Sequence, residues 1–222
     1  MMEWEQFRLA LGDDMAKKEF EQRSYTFEIR AEQNENNVGV ITGRPIVYDS
    51  TADLGYFFEV IARGALALTD LKDVRFLVNH DVSKIPLARS RNNNVNSTMQ
   101  LMVDDQGMQI RVNLDIENNA EARALYSAVE RGDITGMSFM FIVDDEEWSD
   151  LESEKPTRTI KAISRVIEVS AVTFPAYEST EISVRNKAAL DSARTALDSA
   201  KRSLDSGLEL EKAKFEALLK MR

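Results

Sequence analysis

The eighteen residues TRTIKAISRVIEVSAVTF, Thr157 to Phe174, constrain the fold of this chain more than any other stretch. Its β-branched residues suit a pleated strand. Its length suits one bent strand or two, and Pro175 ends it. ITGMSFMFIV, shortly before, is a second β run, and the acidic stretch from Asp144 to Lys155 reads as the loop between them. SYTFEIRA, VGVITGRPIVY, YFFEVI and VRFLVN are further strand candidates, and EISV closes the folded part. MQLMVDD and MQIRVNLDI, joined around Gln106 and Gly107, read as a hairpin.

Helical signals are fewer. Met1 to about Glu21 reads as a short amphipathic helix or an arm, and RGALALTDL as a short helix. The clearest helix starts at Asn118, which has capping-box spacing to Glu121. Ala120, Ala124, Leu125 and Val129 recur at helical intervals, and Gly132 is a natural stop. Strands do not alternate regularly with helices, so a doubly wound α/β sheet is not expected. The expected fold is mostly β with flanking helices (α+β). Its parts are an N-terminal arm or helix (1–21), one domain (22–186) and a helical tail (187–222).

The tail carries a sevenfold repeat, ALDSART-ALDSAKR-SLDSGLE. Leu190, Leu197 and Leu204 each precede a small residue by three positions, the spacing of a coiled-coil seam. Such a helix packs on its own domain or pairs with a partner, and the repeat favours the partner. Gly207 is a weak point in it.

Composition narrows the chemistry. With no cysteine and one histidine, neither a disulfide nor a transition-metal centre is expected. No Asp-rich, glycine-bearing loop suggests a hard-cation site. GRPIVYDS lacks the Lys-Ser/Thr ending of a phosphate loop. The net charge of -10 and the absence of a basic patch argue against nucleic acid. The tail has eight Lys or Arg against six Asp or Glu, so the acidic excess lies elsewhere, most densely at DDEEWSDLESE. No apolar run is long enough to span a membrane, and MMEWEQFRLALGDD is too charged for a secretory signal. A cytosolic setting fits these features.

A serine nucleophile needs a base, and here His80 in RFLVNHD is the one imidazole. Ser138 is a hydroxyl inside the apolar run TGMSFMF. Period-two alternation puts Met137, Phe139 and Phe141 on one face, and Ser138, Met140 and Ile142 on the other. A serine there also fits a small space, bonded to backbone. Glu168 lies between Ile167 and Val169, where a carboxylate needs a partner such as an imidazole. Arg165 or Arg158 would serve as well. Asp81 is the rival acid, although neighbouring strand residues point to opposite faces.

FLVNHDVSKIPLAR, GDITGMSFMF and VIEVSAVTFPAY, in this order, resemble the three signature blocks of the tailed-phage prohead serine proteases. GRPIVYDS followed by FFEVIARGAL resembles that family's opening segment, so the resemblance runs from about Tyr25 to Val184. Ala88 and Met140 stand where family members commonly have glycine. The resemblance implies a β-barrel similar to the herpesvirus assemblins, with Ser138 as nucleophile and His80 as base. Glu168 is our choice for the third member, since no second histidine exists to fill that place. Arg89 and Arg165 are candidates for oxyanion or substrate contact. It further implies an endopeptidase without cofactor that cuts the major capsid protein, its scaffold segment and itself. The expected setting is the prohead in the host cytoplasm, with a homodimer and a tail that pairs with a scaffold helix. The alternative is a catalytically silent scaffolding or capsid-assembly protein on the same fold. A small-ester hydrolase is disfavoured, because no Gly-x-Ser-x-Gly elbow surrounds Ser138.

Overall fold

A computed structural model describes residues 20–25, 29–33, 39–173, 194–207 and 209–210. Eleven strands are present among them: β1 (Glu21–Tyr25), β2 (Ile29–Gln33), β3 (Gly39–Val47), β4 (Thr51–Asp53), β5 (Phe58–Ile61), β6 (Asp73–Val78), β7 (Ala88–Arg91), β8 (Met99–Asp104), β9 (Gly107–Leu114), β10 (Gly136–Ser149) and β11 (Thr157–Val172). Helix α1 spans Ala120–Glu130, and residues 194–207 form a second helix.

The strands make two sheets. One has the order β2-β3-β9-β8; the other runs β1-β10-β11-β5-β4, with β6 also on β11 and β7 on β6. The chain is therefore mostly β, as its sequence suggests. The pairing order is open. Among the described residues β1 and β4 share no ladder, so backbone pairing does not draw the closed barrel that the resemblance implies.

TRTIKAISRVIEVSAVTF supplies one strand, β11, with β10 antiparallel along one edge. Its other edge is shared: β5 pairs in parallel with Thr157–Ile160, and β6 in parallel with Glu168–Ala171. This second half is buried throughout, which accounts for its nearly continuous apolar run. Register shifts between Met140 and Glu146 bend the β10 ladder. Met137, Phe139 and Phe141 enter the main core with residues of both sheets. Met140, Ile142 and Ile167 form a separate cluster with Phe20 on the opposite face. The alternation read from the sequence holds.

Several local expectations are corrected. RGALALTDL is not a helix but successive turns, with Ala67 N–H bonded to Gly64 O and Thr69 N–H to Leu66 O. Gly64 has φ +87°, which a helix does not accommodate. The acidic stretch is largely strand, since β10 continues to Ser149 and the loop begins only at Asp150. There Glu147 pairs with Lys161 and Glu146 with Arg158 on the adjoining β11.

The cap of α1 is Asn119, whose side chain accepts from the N–H groups of Glu121 and Ala122. Asn118 instead bonds Asp115. The helix buries Ala122, Leu125, Tyr126 and Val129. Gly132 follows it at φ +77°. The hairpin of β8 and β9 is as expected. Gly107 starts β9 at φ +137°, where a Cβ would collide with the Ile46 carbonyl.

A buried ion network ties edge strand β1 to β5 across the sheet. Arg23 forks onto both oxygens of Glu59, and Arg158 forks onto Glu21 at 2.5 and 2.7 Å. Arg158 also bonds Glu59 at 3.0 Å and Glu146. Burial alone would raise the Glu21 pKa, but Arg23 and Arg158 outweigh it and hold the carboxyl at about 2.

In the helix at 194–207, Leu197 is buried against Leu54 and Phe57, so this part of the repeat packs on the chain's own domain. Leu204 of the same seam is exposed, and Gly207 is still helical. Leu190, residues 1–19 of the stretch read as an N-terminal arm or helix (1–21), and EISV lie outside the described residues, while Glu21 at the end of that stretch already opens β1.

Candidate active site

The site begins where β6 stops. Asn79 and His80 both adopt left-handed backbone conformations, at φ +52° and +57°. Asparagine enters that region more readily than most residues, and here it is fastened on both sides. Its N–H donates to Ala171 O at 2.9 Å. Its side-chain amide exchanges bonds with Thr173, receiving Thr173 N–H at 3.0 Å and donating to Thr173 Oγ1 at 3.1 Å. This clamp turns the chain so that His80 comes back over the second half of β11.

His80 meets two side chains there. Its Nδ1 lies 2.5 Å from Glu168 Oε1, and its backbone N–H donates to Ser170 Oγ at 3.1 Å. Ser170 in turn donates to Glu168 Oε2 at 2.5 Å. Glu168 and Ser170 are two residues apart on β11 and so share a face. Glu168 is 1% exposed, and each of its oxygens has a partner. A buried carboxylate against Nδ1 selects the tautomer with the proton on Nδ1 and leaves Nε2 as an acceptor.

Ser138 belongs to the same face, for it is the Cα partner of Ser170 across β10 and β11. Its side chain is buried, and its hydroxyl donates to the Arg23 carbonyl on β1 at 2.8 Å. The backbone bond read as the plain use of this serine is thus present. The strand pairing brings Ser138 beside the His80–Glu168 pair, while its hydroxyl is directed to β1.

The rival acid lies elsewhere. Asp81 is exposed and accepts from Ser83 N–H and Oγ at 3.1 and 2.5 Å. Arg89 forks onto Asp73 at 2.6 and 2.9 Å, and Arg165 is 3.8 Å from Asp70. Among the described residues, neither arginine hydrogen-bonds or ion-pairs with Ser138, His80 or Glu168.

The sequence reading missed Asn79 and Ser170. Ser170 carried a signal, being two residues beyond Glu168 in a strand. Asn79 had only its place before the histidine at the end of an apolar run.

An imidazole oriented by a buried carboxylate, with a serine on the adjoining strand, is an arrangement that serine hydrolases use. The chain belongs to the Caudovirus prohead serine protease family, whose sequence pattern matches residues 25–193. It is thereby placed among the serine proteases of phage capsid maturation. No curated protein matches the chain. Among solved structures it is similar to the bacteriophage T4 capsid assembly protease gp21, at 10% identity. That match covers 68% of this chain and 98% of the other, with a TM-score of 0.35, too slight a likeness to carry weight.

Proposed function

We propose that this chain is a serine endopeptidase in which Ser138 attacks the scissile carbonyl, His80 is the base and Glu168 orients His80. The observation that carries this reading is the 2.5 Å contact of His80 Nδ1 with buried Glu168, beside the strand that bears Ser138. For attack, Ser138 transfers its hydrogen bond from the Arg23 carbonyl to His80 Nε2. The imidazole takes the proton as the Ser138 Oγ–carbon bond forms, and gives it to the leaving amine as the acyl-enzyme forms. Water then repeats the sequence to release the acyl group. Glu168 keeps the ring in the required tautomer and stabilises the imidazolium.

The substrates are the major capsid protein, its scaffold segment and the chain itself, cut inside the prohead. The domain at 22–186 does this work as a barrel-like unit of a homodimer. The tail at 187–222 pairs with a scaffold helix, and among the described residues exposed Leu204 is a seam residue open to it. Arg89 and Arg165 reach an oxyanion or substrate only by leaving Asp73 and Asp70.

Co-expression with the cognate capsid protein, read by mass spectrometry, tests the assignment. Wild type is expected to process the capsid protein, and Ser138→Ala and His80→Ala are expected not to. Unchanged processing by Ser138→Ala would refute it.

A further inference from the structure

We infer that Ser170 is a positioning residue of the site, the third member of a closed loop with Glu168 and His80. The inference rests on the reading of His80 as the base. Three bonds close the loop: Ser170 Oγ to Glu168 Oε2 at 2.5 Å, Glu168 Oε1 to His80 Nδ1 at 2.5 Å, and His80 N–H to Ser170 Oγ at 3.1 Å. One hydroxyl therefore acts at both ends of the same histidine. It fixes the carboxylate that holds the ring, and it accepts the N–H of a backbone in the left-handed region, which few non-glycine residues occupy.

The bonds also assign different duties to the two serines that face each other across β10 and β11. The proton of Ser170 is committed to a buried carboxylate, so its oxygen is not presented to an imidazole. The proton of Ser138 is committed only to a backbone carbonyl. Ser170 is wholly buried, and no water replaces its hydroxyl without a cavity to enter.

The loop predicts the direction in which His80 responds. A hydroxyl that donates to Oε2 spreads the carboxylate charge and weakens its pull on an imidazolium. Its removal leaves Oε2 unsatisfied and concentrates the charge against the ring. Of the neighbouring charges, Arg75, the Cα partner of Glu168 on β6, is engaged with Asp73 at 3.3 Å and is unaltered by the change.

Because the chain has one histidine, NMR titration of 15N-histidine-labelled full-length protein reads His80 without assignment and without turnover. Ser170→Ala is expected to displace the pH profile of the His80 ring signals from that of wild type, and Ser170→Thr, which keeps the oxygen, to restore it. In capsid-peptide cleavage Ser170→Ala should lower kcat about tenfold with KM unchanged. It should add little in a Glu168→Gln background, since it acts through that carboxylate. An identical titration in wild type and Ser170→Ala would overturn the inference, whatever becomes of the protease assignment. If Ser170→Ala does not fold, Ser170→Cys takes its place. A thiol bonds more weakly, so the shift must keep the same sign, and its absence overturns the inference equally.

Discussion

Ser138 and Ser170 are cross-strand partners, yet their hydroxyls serve different acceptors: Arg23 O on β1 for the first, Glu168 Oε2 for the second. The structure thus separates a serine bound only to backbone from one built into the support of the histidine. The consequences are measurable at the acid, in the ion network and in the helix beyond the domain.

Glu168, and not Asp81, is the carboxylate in contact with the His80 ring. Glu168→Gln is expected to lower turnover by about 10^4-fold, the loss that follows amidation of the orienting carboxylate in a serine-protease triad. Asp81→Asn removes only the charge of an exposed acceptor for Ser83 and is expected to leave turnover unchanged. Steady-state cleavage of a capsid-derived peptide decides between the two.

Much of this pair was legible in the sequence. A lone carboxylate between Ile167 and Val169 had to find a partner, and the chain has only one imidazole. The contact itself was not legible, because it depends on the parallel register of β6 with β11 and on two left-handed residues after Val78. The strands were largely readable from their periodicity. The turns after Ile61 looked helical because alanine and leucine favour helices, and Gly64 at positive φ overrode that preference. Acidic residues concealed the second half of β10, since their strand stability comes from cross-strand Lys161 and Arg158, which no local window contains.

The ion network sets the attachment of β1. Glu59 is fully buried and faces two guanidinium groups. Glu59→Gln takes the forked carboxylate from Arg23 and leaves Glu21 and Glu146 to serve both guanidinium groups, at an expected cost of about 1–3 kcal/mol. Urea unfolding at neutral pH measures it. A change near zero would show the network to be dispensable.

The same network gives an acid dependence. The folded pKa of Glu21 is lowered from 4.5 to about 2. A depressed folded pKa means that its stabilisation is complete above the unfolded value and is lost as pH falls through the folded one. Stability should therefore decline as pH drops from about 4.5 towards about 2. Glu21→Gln should lessen that slope in urea titrations taken across the range.

Leu197 anchors the helix at 194–207 on Leu54 and Phe57. Leu197→Ala removes the buried contact of an otherwise largely exposed helix. Amide exchange within 198–207 should accelerate, while that of β10 and β11 stays unchanged. Uniform acceleration throughout would instead mean that the helix is part of the global folding unit.

The central claim is that Ser138 is the nucleophile and His80 its base. Reaction with a fluorophosphonate, followed by peptide mapping, tests it most directly, because only an activated serine is phosphonylated rapidly. The account predicts one adduct, on Ser138, that disappears in Ser138→Ala and forms far more slowly in His80→Ala. An adduct on Ser170, or labelling undiminished in either variant, would contradict it.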